Sequence, residues 1–295
     1  VRALWLENIR ERKAHLADNT PLYLTLAGAE GHDIQMLIDE GLIERTETGA
    51  ILDPDGLAVA VESSPDAVRQ LQEKFIGLKI IEKNIKDLVR GPRPIRWPDG
   101  DDAHCCRAAV INLDLNEMFE SPDGTTFPLV DLIGKFVVLH EEAPTVGNWS
   151  LFLTLHGEAA WHDDVLRRVF AFLNENFGIE PEFSAHCRAF LGEDIHRRIT
   201  EGNVAGLDLT REQQQKLLMV LVPKKIAGAV HGQGWDIQIS ENIRYGSDGA
   251  APMTTWVINF NWNPAGRATP EALYRSALRT VLANARQIDA QGQFS

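Results

Sequence analysis

Five short apolar segments that alternate with helical segments constrain the fold more than any other feature of this sequence. They span residues 22–27, 57–61, 78–81, 108–113 and 149–155. Each has the length of a strand, and continuous hydrophobicity is typical of strands buried on both faces of a parallel sheet. Parallel strands joined by right-handed helical crossovers form a doubly wound sheet. The sequence therefore predicts an α/β fold with a doubly wound, mostly parallel sheet.

The C-terminal part of the chain is predicted to complete a seven-stranded sheet. Residues 235–239 and 254–262 alternate apolar and polar side chains as half-buried strands do, and the stretch between them is rich in Gly, Ser, Asp and Pro, which favours an antiparallel hairpin. Residues 269–288 have the pattern of a last helix. We therefore predict an N-terminal helix at 1–20, a core at 21–178, a helical insertion at 179–231, and a terminal hairpin with its helix at 232–295.

The charge balance limits the partners of the chain. Its 29 Lys and Arg against 42 Asp and Glu give a formal net charge of −13, which disfavours broad electrostatic binding to nucleic acid or to anionic membranes. We expect nucleic acid to bind only through local basic patches, although ordinary solvated surface is the other interpretation of these residues. The candidate patches are Arg90, Arg93 and Arg96, then Arg197 with Arg198, and Lys224 with Lys225.

The cysteines and the hydropathy pattern give information on the cellular compartment of the protein. Three cysteines, two of them adjacent, do not form a disulfide framework and indicate a reducing cytoplasm. No apolar segment approaches the roughly 20 residues of a membrane span, and the first residues lack the pattern of a signal peptide. We therefore expect a cytoplasmic protein with no membrane partner.

Ligands of open α/β sheets bind beyond the carboxyl ends of the strands, so the residues that end each apolar segment are the candidate site residues. Gly28 to Gly31 follow the first segment, where small residues let the backbone approach a ligand, or simply make the turn into a helix. Glu62 ends the second segment, where it could accept hydrogen bonds from ribose hydroxyls or lie solvated in a loop. Asn84 follows the third segment and could meet an adenine edge. Asp114 closes the fourth, where a substrate-orienting role and helix capping are both open.

The glycine pattern disfavours a nicotinamide cofactor. Glu62 lies 34 positions after Gly28, whereas about 20 residues separate the glycines and the acid of the dinucleotide fingerprint. The full G-x-G-x-x-G pattern is also missing. The extra length falls in the polar stretch 44–56.

Two strings of residues carry a resemblance to a known family. The stretch Val59–Val68, with sequence VAVESSPDAV, resembles the second-strand motif of class I S-adenosylmethionine-dependent methyltransferases, and Leu24–Gly31, with sequence LTLAGAEG, is similar to a degenerate form of their first glycine motif. Residues 81–87 and 111–116 fall where the third and fourth motifs of that family fall. The terminal hairpin at 235–262 matches the antiparallel last strand of the family. The resemblance covers about 22–178 and 235–262.

The resemblance implies a Rossmann-like cofactor-binding core at 21–178 and S-adenosylmethionine as the cofactor. It assigns the glycine loop to the methionine part of the cofactor, Glu62 with Ser63 to the ribose, and Asn84 to the adenine. Asp114 is placed near the methyl-transfer site as the catalytic residue and as a cofactor contact. The residues of the glycine loop are Gly28, Ala29, Glu30 and Gly31.

Other reactive residue types give weaker patterns. The clusters His104-Cys105-Cys106 and His186-Cys187 lack the spacing of zinc sites, so the sequence predicts no metal site. Five tryptophans in the second half of the chain could stack a base but are better explained as core residues; they are Trp149, Trp161, Trp235, Trp256 and Trp262. The sequence contains neither a G-x-S-x-G motif nor a Walker motif, which argues against hydrolase and NTPase functions.

Three functional hypotheses follow. The first is a methyltransferase whose acceptor is nucleic acid, protein or a small molecule. The second is a non-catalytic subunit with the same fold in a bacterial multiprotein complex, with the insertion at 179–231 as the docking surface for a protein partner. The third is another Rossmann-like enzyme that uses a nucleotide or nucleoside.

Overall fold

The structure of the protein is a computed structural model that describes residues 2–16, 20–52, 57–88, 105–115, 128–142, 147–156, 163–230, 233–246, 253–263 and 285–287. These residues form a mixed α/β protein whose main sheet has eight strands and is mostly parallel. The expected α/β class and mostly parallel sheet are confirmed.

The described strands follow the predicted apolar segments closely. In chain order they are β1 (Tyr23–Thr25), β2 (Glu44–Arg45), β3 (Ile51–Leu52), β4 (Ala58–Glu62), β5 (Lys79–Glu82), β6 (Val110–Leu115), β7 (Trp149–His156), β8 (Trp235–Tyr245), β9 (Met253–Trp262) and β10 (Ala285–Gln287).

The described helices alternate with the strands in the first half and cluster between β7 and β8. They are α1 (Arg2–Ala14), α2 (His32–Asp39), α3 (Pro65–Lys74), α4 (Ile85–Leu88), α5 (Pro128–Glu142), α6 (Asp163–Ile179), α7 (Pro181–Leu191), α8 (Glu193–Glu201) and α9 (Arg211–Val230). The start of α3 is as predicted, because Ser64 is the N-cap and its side chain accepts from the backbone N–H of Ala67 at 3.4 Å, while Pro65 occupies the first turn.

The main sheet has the strand order β10-β8-β9-β7-β6-β1-β4-β5. β1 pairs in parallel with both β4 and β6, with Leu24 opposite Val59 on one side and Ile111 on the other. β5 extends the sheet in parallel beyond β4. Leu24, Val59 and Ile111 are fully buried, as expected for strands that are covered on both faces.

Several elements differ from the predicted ones. β2 and β3 form a separate antiparallel pair inside the polar stretch 44–56. Asp114 lies within β6 rather than after it. The sheet has eight strands instead of the expected seven, because β10 pairs in parallel with β8. That strand occupies 285–287, where a helix over 269–288 was expected; the rest of that expected helix falls within 264–284, outside the described residues.

The chain divides into two compact units that are both discontinuous in sequence. The first comprises Val1–Asp114, Lys135–Phe152 and Phe260–Trp262, and the second comprises Leu115–Gly134, Leu153–Asn259 and Asn263–Ser295. In the first unit the indole of Trp149 is stacked between two rings, with centroid distances of 4.3 Å to His140 and 3.9 Å to Phe260. The expected core role of Trp149 is confirmed, because its side chain is fully buried.

The second unit contains the helices between β7 and β8. Phe177 packs on Phe183 and stacks on His196, which joins α6, α7 and α8 into one apolar cluster. From α9, the Gln215 side chain donates to the carbonyl oxygens of Tyr245 and Met253 at 3.2 and 3.1 Å. None of the described helices combines the length and the apolar character that a membrane crossing requires.

Candidate functional site

The strand order changes direction at β1, and this defines the candidate site. From β1 the chain moves outward to β4 and β5, and then returns to the other side of β1 with β6 and β7. Ligands of open α/β sheets bind in the crevice at such a switch point, outside the carboxyl ends of the strands. The site residues predicted from the sequence all belong to the first unit and lie at or just beyond the carboxyl ends of β1, β4, β5 and β6.

The glycine loop after β1 contains two glycines with different requirements. Gly28 and Gly31 both have φ of +55°, a left-handed conformation that favours glycine. A Cβ at Gly28 would meet no atom within 4 Å, whereas a Cβ at Gly31 would lie 2.5 Å from Cε2 of Phe75 and 2.9 Å from Cδ2 of Leu71. Gly31 therefore permits the close packing of α2 against α3, and Gly28 leaves open space beside the loop.

The other loop residues are partly engaged with the protein itself. The carbonyl oxygen of Glu30 accepts a hydrogen bond from Nζ of Lys74 at 2.6 Å, and its carboxylate lies 3.7 Å from the same ammonium group. Ala29 is half-buried, between the exposed residues Gly28 and Glu30. The loop is thus tied to the C-terminal end of α3 on one side and leads into α2 on the other.

Glu62 ends β4 with an oriented carboxylate. Its Oε1 accepts hydrogen bonds from the backbone N–H groups of Ser63 and Ser64 at 2.7 and 2.8 Å. Among the described residues, Oε2 accepts no hydrogen bond. The side chain is half-buried. Glu62 can therefore accept hydrogen bonds from a diol through Oε2, and the backbone of Ser63 fixes its orientation.

Asn84 and Asp114 are exposed at the same edge of the sheet. Asn84 follows β5, and its carbonyl oxygen accepts from the N–H of Asp87 in the first turn of α4. Asp114 lies two residues beyond Asn112 in β6, so the two side chains share a face of the sheet. The helix-capping interpretation of Asp114 does not apply to its position, because the residue belongs to the strand.

Sequence reasoning missed the polar side chains that lie between β1 and β6. Thr25 and Asn112 are register partners and fully buried, and Asp33 reaches them from α2. Oδ2 of Asp33 accepts from the Thr25 hydroxyl at 3.0 Å and from the Asn112 amide at 2.6 Å. The amide of Asn112 also donates to Oγ1 of Thr25 at 3.3 Å. A polar residue within the apolar run 108–113 was the available signal.

Tyr23 extends this cluster into the core. Its side chain is fully buried, and burial, followed by the negative charge of Asp33, raises the pKa of the phenol well above its ordinary value. The hydroxyl therefore keeps its proton at physiological pH. Neither the Tyr23 hydroxyl nor Oδ1 of Asn112 has a hydrogen-bond partner of ordinary geometry in the described part of the chain.

Among the described residues, four carboxylates lie at this end of the sheet. Asp33, Glu62 and Asp114 come from α2, β4 and β6, and Glu30, which pairs with Lys74, lies in the glycine loop. Negative charge of this kind favours a ligand that carries net positive charge over an anionic one.

The candidate basic patches differ from one another in their exposure and ion pairing in the structure. Arg197 pairs with Asp194 and Glu201 on α8, and Arg198 pairs with Asp194, so two carboxylates balance their charge locally. Lys224 is buried, with 1% of its surface exposed, because α9 is packed on several sides; the expected surface patch at Lys224 and Lys225 is therefore wrong for Lys224. Arg90, Arg93 and Arg96 lie outside the described residues.

The three cysteines are buried. Cys105, Cys106 and Cys187 form no disulfide. Within the described ranges, no three His, Cys, Asp or Glu side chains lie close enough together to hold a metal ion.

Comparison of the chain with protein-family models, with curated proteins and with solved structures finds no match.

Proposed function

We propose that the chain is an S-adenosylmethionine-dependent methyltransferase built on a doubly wound, Rossmann-like sheet. The single observation that carries the proposal is the position of Glu62 and the Gly28 loop on the neighbouring strands β4 and β1, beside the point where the strand order reverses. In chain order the five strands from β5 to β7 have the arrangement 3-2-1-4-5, which is that of doubly wound nucleotide-binding sheets.

The C-terminal strands support the same proposal. β9 lies between β7 and β8, out of chain order. The N–H of Asn263 donates to the carbonyl of Gly234 at 2.9 Å, and the hydroxyl of Ser240 donates to the carbonyl of Val257 at 3.3 Å. From the first contact to the second, the residue number rises by six along β8 and falls by six along β9, as an antiparallel hairpin requires. We infer that β9 is the antiparallel last strand that the methyltransferase resemblance implies, and that β10 is an addition to a seven-stranded sheet.

The residues of the first unit fit this cofactor. Glu62 is placed to accept hydrogen bonds from ribose hydroxyls through Oε2, while Ser63 and Ser64 hold Oε1. Gly28 leaves room for the cofactor beside the loop, and Asn84 offers a side chain at the next strand end for the adenine. The acidic edge favours a ligand with both a sulfonium and an ammonium group.

Catalysis in this proposal depends mainly on position. S-adenosylmethionine supplies, when bound, a methyl group that its sulfonium already activates for transfer. Asp114 is exposed on β6, beside the crevice, where its carboxylate would orient the acceptor nucleophile and accept its proton. Bringing the two reactants together in line supplies most of the acceleration. An Asp114→Ala protein that methylates its acceptor at an unchanged rate would contradict this role.

The location of the chain remains part of the proposal. We infer a cytoplasmic protein, because the three cysteines are buried and form no disulfide. The supporting reason is that oxidising compartments favour disulfides, whereas reducing compartments keep thiols free.

Calorimetric titration with S-adenosylmethionine tests the proposal. We expect binding at micromolar strength for the wild type and at least a tenfold loss for Glu62→Ala, because two hydroxyls lose a charged acceptor. Glu73→Ala, an exposed carboxylate on α3, is the matched control and is expected to bind as the wild type does.

The outcomes separate the two main hypotheses. Binding that is lost in Glu62→Ala supports the cofactor site and directs the search to the acceptor. A wild-type chain that binds neither S-adenosylmethionine nor S-adenosylhomocysteine contradicts the proposal and favours the non-catalytic subunit, with a protein partner sought at 179–231. Equal losses in Glu62→Ala and Glu73→Ala would remove the role given to Glu62.

A further inference from the structure

A serine and a histidine meet on the helices between β7 and β8, close enough for a proton to pass between them. The hydroxyl oxygen of Ser184 on α7 lies 2.9 Å from Nε2 of His196 on α8. A nucleophile within hydrogen-bond reach of a base is the arrangement that covalent catalysis by serine requires. Both residues belong to the second unit, whereas Glu62 and the glycine loop belong to the first.

The two side chains differ in exposure in the way that a nucleophile and its base require. Ser184 is half-buried and therefore accessible to a small molecule, whereas His196 is buried, with 4% of its surface exposed. The imidazole stacks on Phe177 of α6 at a centroid distance of 4.9 Å, which fixes the plane of the ring. A base held in one orientation keeps its lone pair aimed at the nucleophile.

The protonation state of His196 suits a base. Burial, followed by the positive charge of Arg188, lowers the pKa of the imidazole below its ordinary value, while the carboxylate of Glu193 opposes this shift. The ring is therefore neutral at pH 7. In the tautomer that carries its hydrogen on Nδ1, Nε2 accepts a hydrogen bond from the Ser184 hydroxyl. Among the described residues, no other hydrogen bond to the imidazole competes with this one.

A positive charge lies beside the pair. Arg188 comes one helical turn after Ser184 on α7, so the two side chains share a face of the helix. The Arg188 guanidinium is 3.6 Å from the carboxylate of Glu193, and its charge acts on the imidazole of His196. Such a cation stabilises the negative charge that develops on an acyl oxygen during attack by a hydroxyl. Nucleophile, base and stabilising charge are thus present together.

We propose that Ser184 and His196 form a second active site, which cleaves small carboxylic esters. This inference goes beyond the proposed function, because neither residue is assigned to methyl transfer. His196 takes the hydroxyl proton as Oγ of Ser184 forms a bond to the carbonyl carbon of the ester. The ester C–O bond then breaks, and the alcohol leaves with that proton. Water next attacks the acyl group, passes a proton through His196 to Oγ, and releases the carboxylic acid.

The lack of a G-x-S-x-G motif does not argue against this site. In that motif the serine lies on a sharp turn between a strand and a helix. Ser184 lies within α7 instead, and its partner is 12 positions away along the chain. No local pattern in the sequence therefore marks the pair.

The test uses the full chain with two reagents that report an activated serine. An alkyl fluorophosphonate bonds to a serine oxygen with loss of fluoride, and p-nitrophenyl acetate releases a coloured alcohol when its acyl group is transferred. Peptide mass spectrometry locates the modified residue. The proteins are the wild type, Ser184→Ala, His196→Gln and His186→Gln, a matched control at an exposed histidine of α7. A thermal melt of each protein shows whether it folds.

We expect the fluorophosphonate to label Ser184 at the same rate in the wild type and in His186→Gln. His196→Gln should be labelled about 100-fold more slowly or worse, since a general base contributes at least that much. Ser184→Ala should lose the wild-type turnover of p-nitrophenyl acetate.

The pH profile of the wild type is the second readout, because it does not depend on the folding of a variant. The labelling rate should be level above pH 7 and fall only below about 6.5, the ordinary pKa of histidine. The charged groups that act on the ring are Arg188 on α7 and Glu193 on α8, and from α6 it meets the uncharged Phe177. A serine that no base assists would react at a rate that rises with hydroxide concentration throughout.

Three results would overturn the inference. A wild type that takes no label at Ser184 would make the contact with His196 purely structural. A labelling rate that rises with hydroxide concentration across the whole range would show an unassisted serine. Equal rates in the wild type and a folded His196→Gln would remove the base. None of these results bears on the binding of S-adenosylmethionine, so the two proposals can fail separately.

Discussion

The close approach of Gly31 to Phe75 gives a stability prediction that can be worked from the structure. Replacing Gly31 by alanine places a Cβ 2.5 Å from Cε2 of Phe75 and 2.9 Å from Cδ2 of Leu71. Neither neighbour can move away freely, because Phe75 and Leu71 are fully buried. The new methyl group must therefore displace packed core atoms at the junction of α2 and α3.

Two costs add at this position. A non-glycine residue with φ near +55° costs roughly 1–2 kcal/mol. Overpacking of a well-packed core costs typically about 1–3 kcal/mol more. We therefore expect Gly31→Ala to lower the free energy of unfolding by about 2–5 kcal/mol. Gly28→Ala has the same φ and open space, so it should carry only the first cost.

The assay is urea unfolding of the full chain followed by far-ultraviolet circular dichroism, with both glycine variants measured beside the wild type. The difference between the two variants isolates the contact with Phe75, because the backbone cost is common to both. A third protein, Gly31→Ala with Phe75→Leu, removes the ring edge that the methyl group meets. We expect the two changes to couple favourably, by about 1 kcal/mol or more, relative to the sum of the single variants.

The reasoning is refuted if Gly31→Ala and Gly28→Ala destabilise the protein equally within about 0.5 kcal/mol, or if the double variant shows no coupling. Either result would mean that the junction of α2 and α3 relaxes at little cost. It would also remove the argument that Gly31 is needed for packing rather than for the ligand.

Three further predictions concern stability. Burial lowers the pKa of His140 to about 4, so between pH 6.5 and 4 the unfolded chain binds a proton that the folded chain does not bind. The free energy of unfolding should therefore fall by about 3 kcal/mol as the pH drops from 6.5 to 4. This pH dependence should disappear in His140→Gln but persist in the exposed control His32→Gln. Burial lowers the pKa of Lys224 to about 6, so the free energy of unfolding should rise as the pH rises from 6 towards 10.5. At pH 7, Lys224→Met should be more stable than the wild type, by about 5 kcal/mol at most, whereas Lys225→Met should not. A Lys224→Met protein that is less stable than the wild type would contradict the desolvation argument. Ser64→Ala removes the side-chain cap of α3 and should cost about 1 kcal/mol in urea unfolding; no measurable loss would mean that the 3.4 Å contact contributes nothing.

The parallel strands could be predicted from the sequence, because strands that are buried on both faces are encoded by continuous apolar segments. β4 and β7 are examples, since their apolar segments end within one residue of the strand. β2 and β3 are not marked in this way, because each has only two residues. The N–H of Ile51 in β3 also makes a tertiary contact, a 2.7 Å hydrogen bond to the carbonyl of Ile76, that no local pattern shows. The predicted domain boundaries remain a prediction.

The candidate site could be predicted only where its residues end a strand. Glu62 and Asn84 were accessible to that rule, because strand ends of a parallel sheet meet at one edge. Asp33 was not, since it lies on a helix and its hydrogen-bond partner Asn112 is 79 residues away along the chain. Outside the site, the burial of Lys224 was also not predicted. Residues all around α9 are buried, so no helical periodicity in the sequence marks one face as the inner one.

The discontinuous division of the chain has a consequence for synthesis. The first unit includes Phe260, whose ring stacks on Trp149 in the core of that unit. Most of the unit, however, has been translated once residue 114 has been made. At roughly 5–20 residues per second, the ribosome takes about 7–30 s to reach residue 262 after residue 114 has been made. From the synthesis of Trp149 until that of Phe260, the indole cannot stack on β9. The nascent chain is therefore expected to occupy chaperones until residue 260 has been made, and a stop codon placed before that residue should yield an aggregating fragment rather than a folded domain.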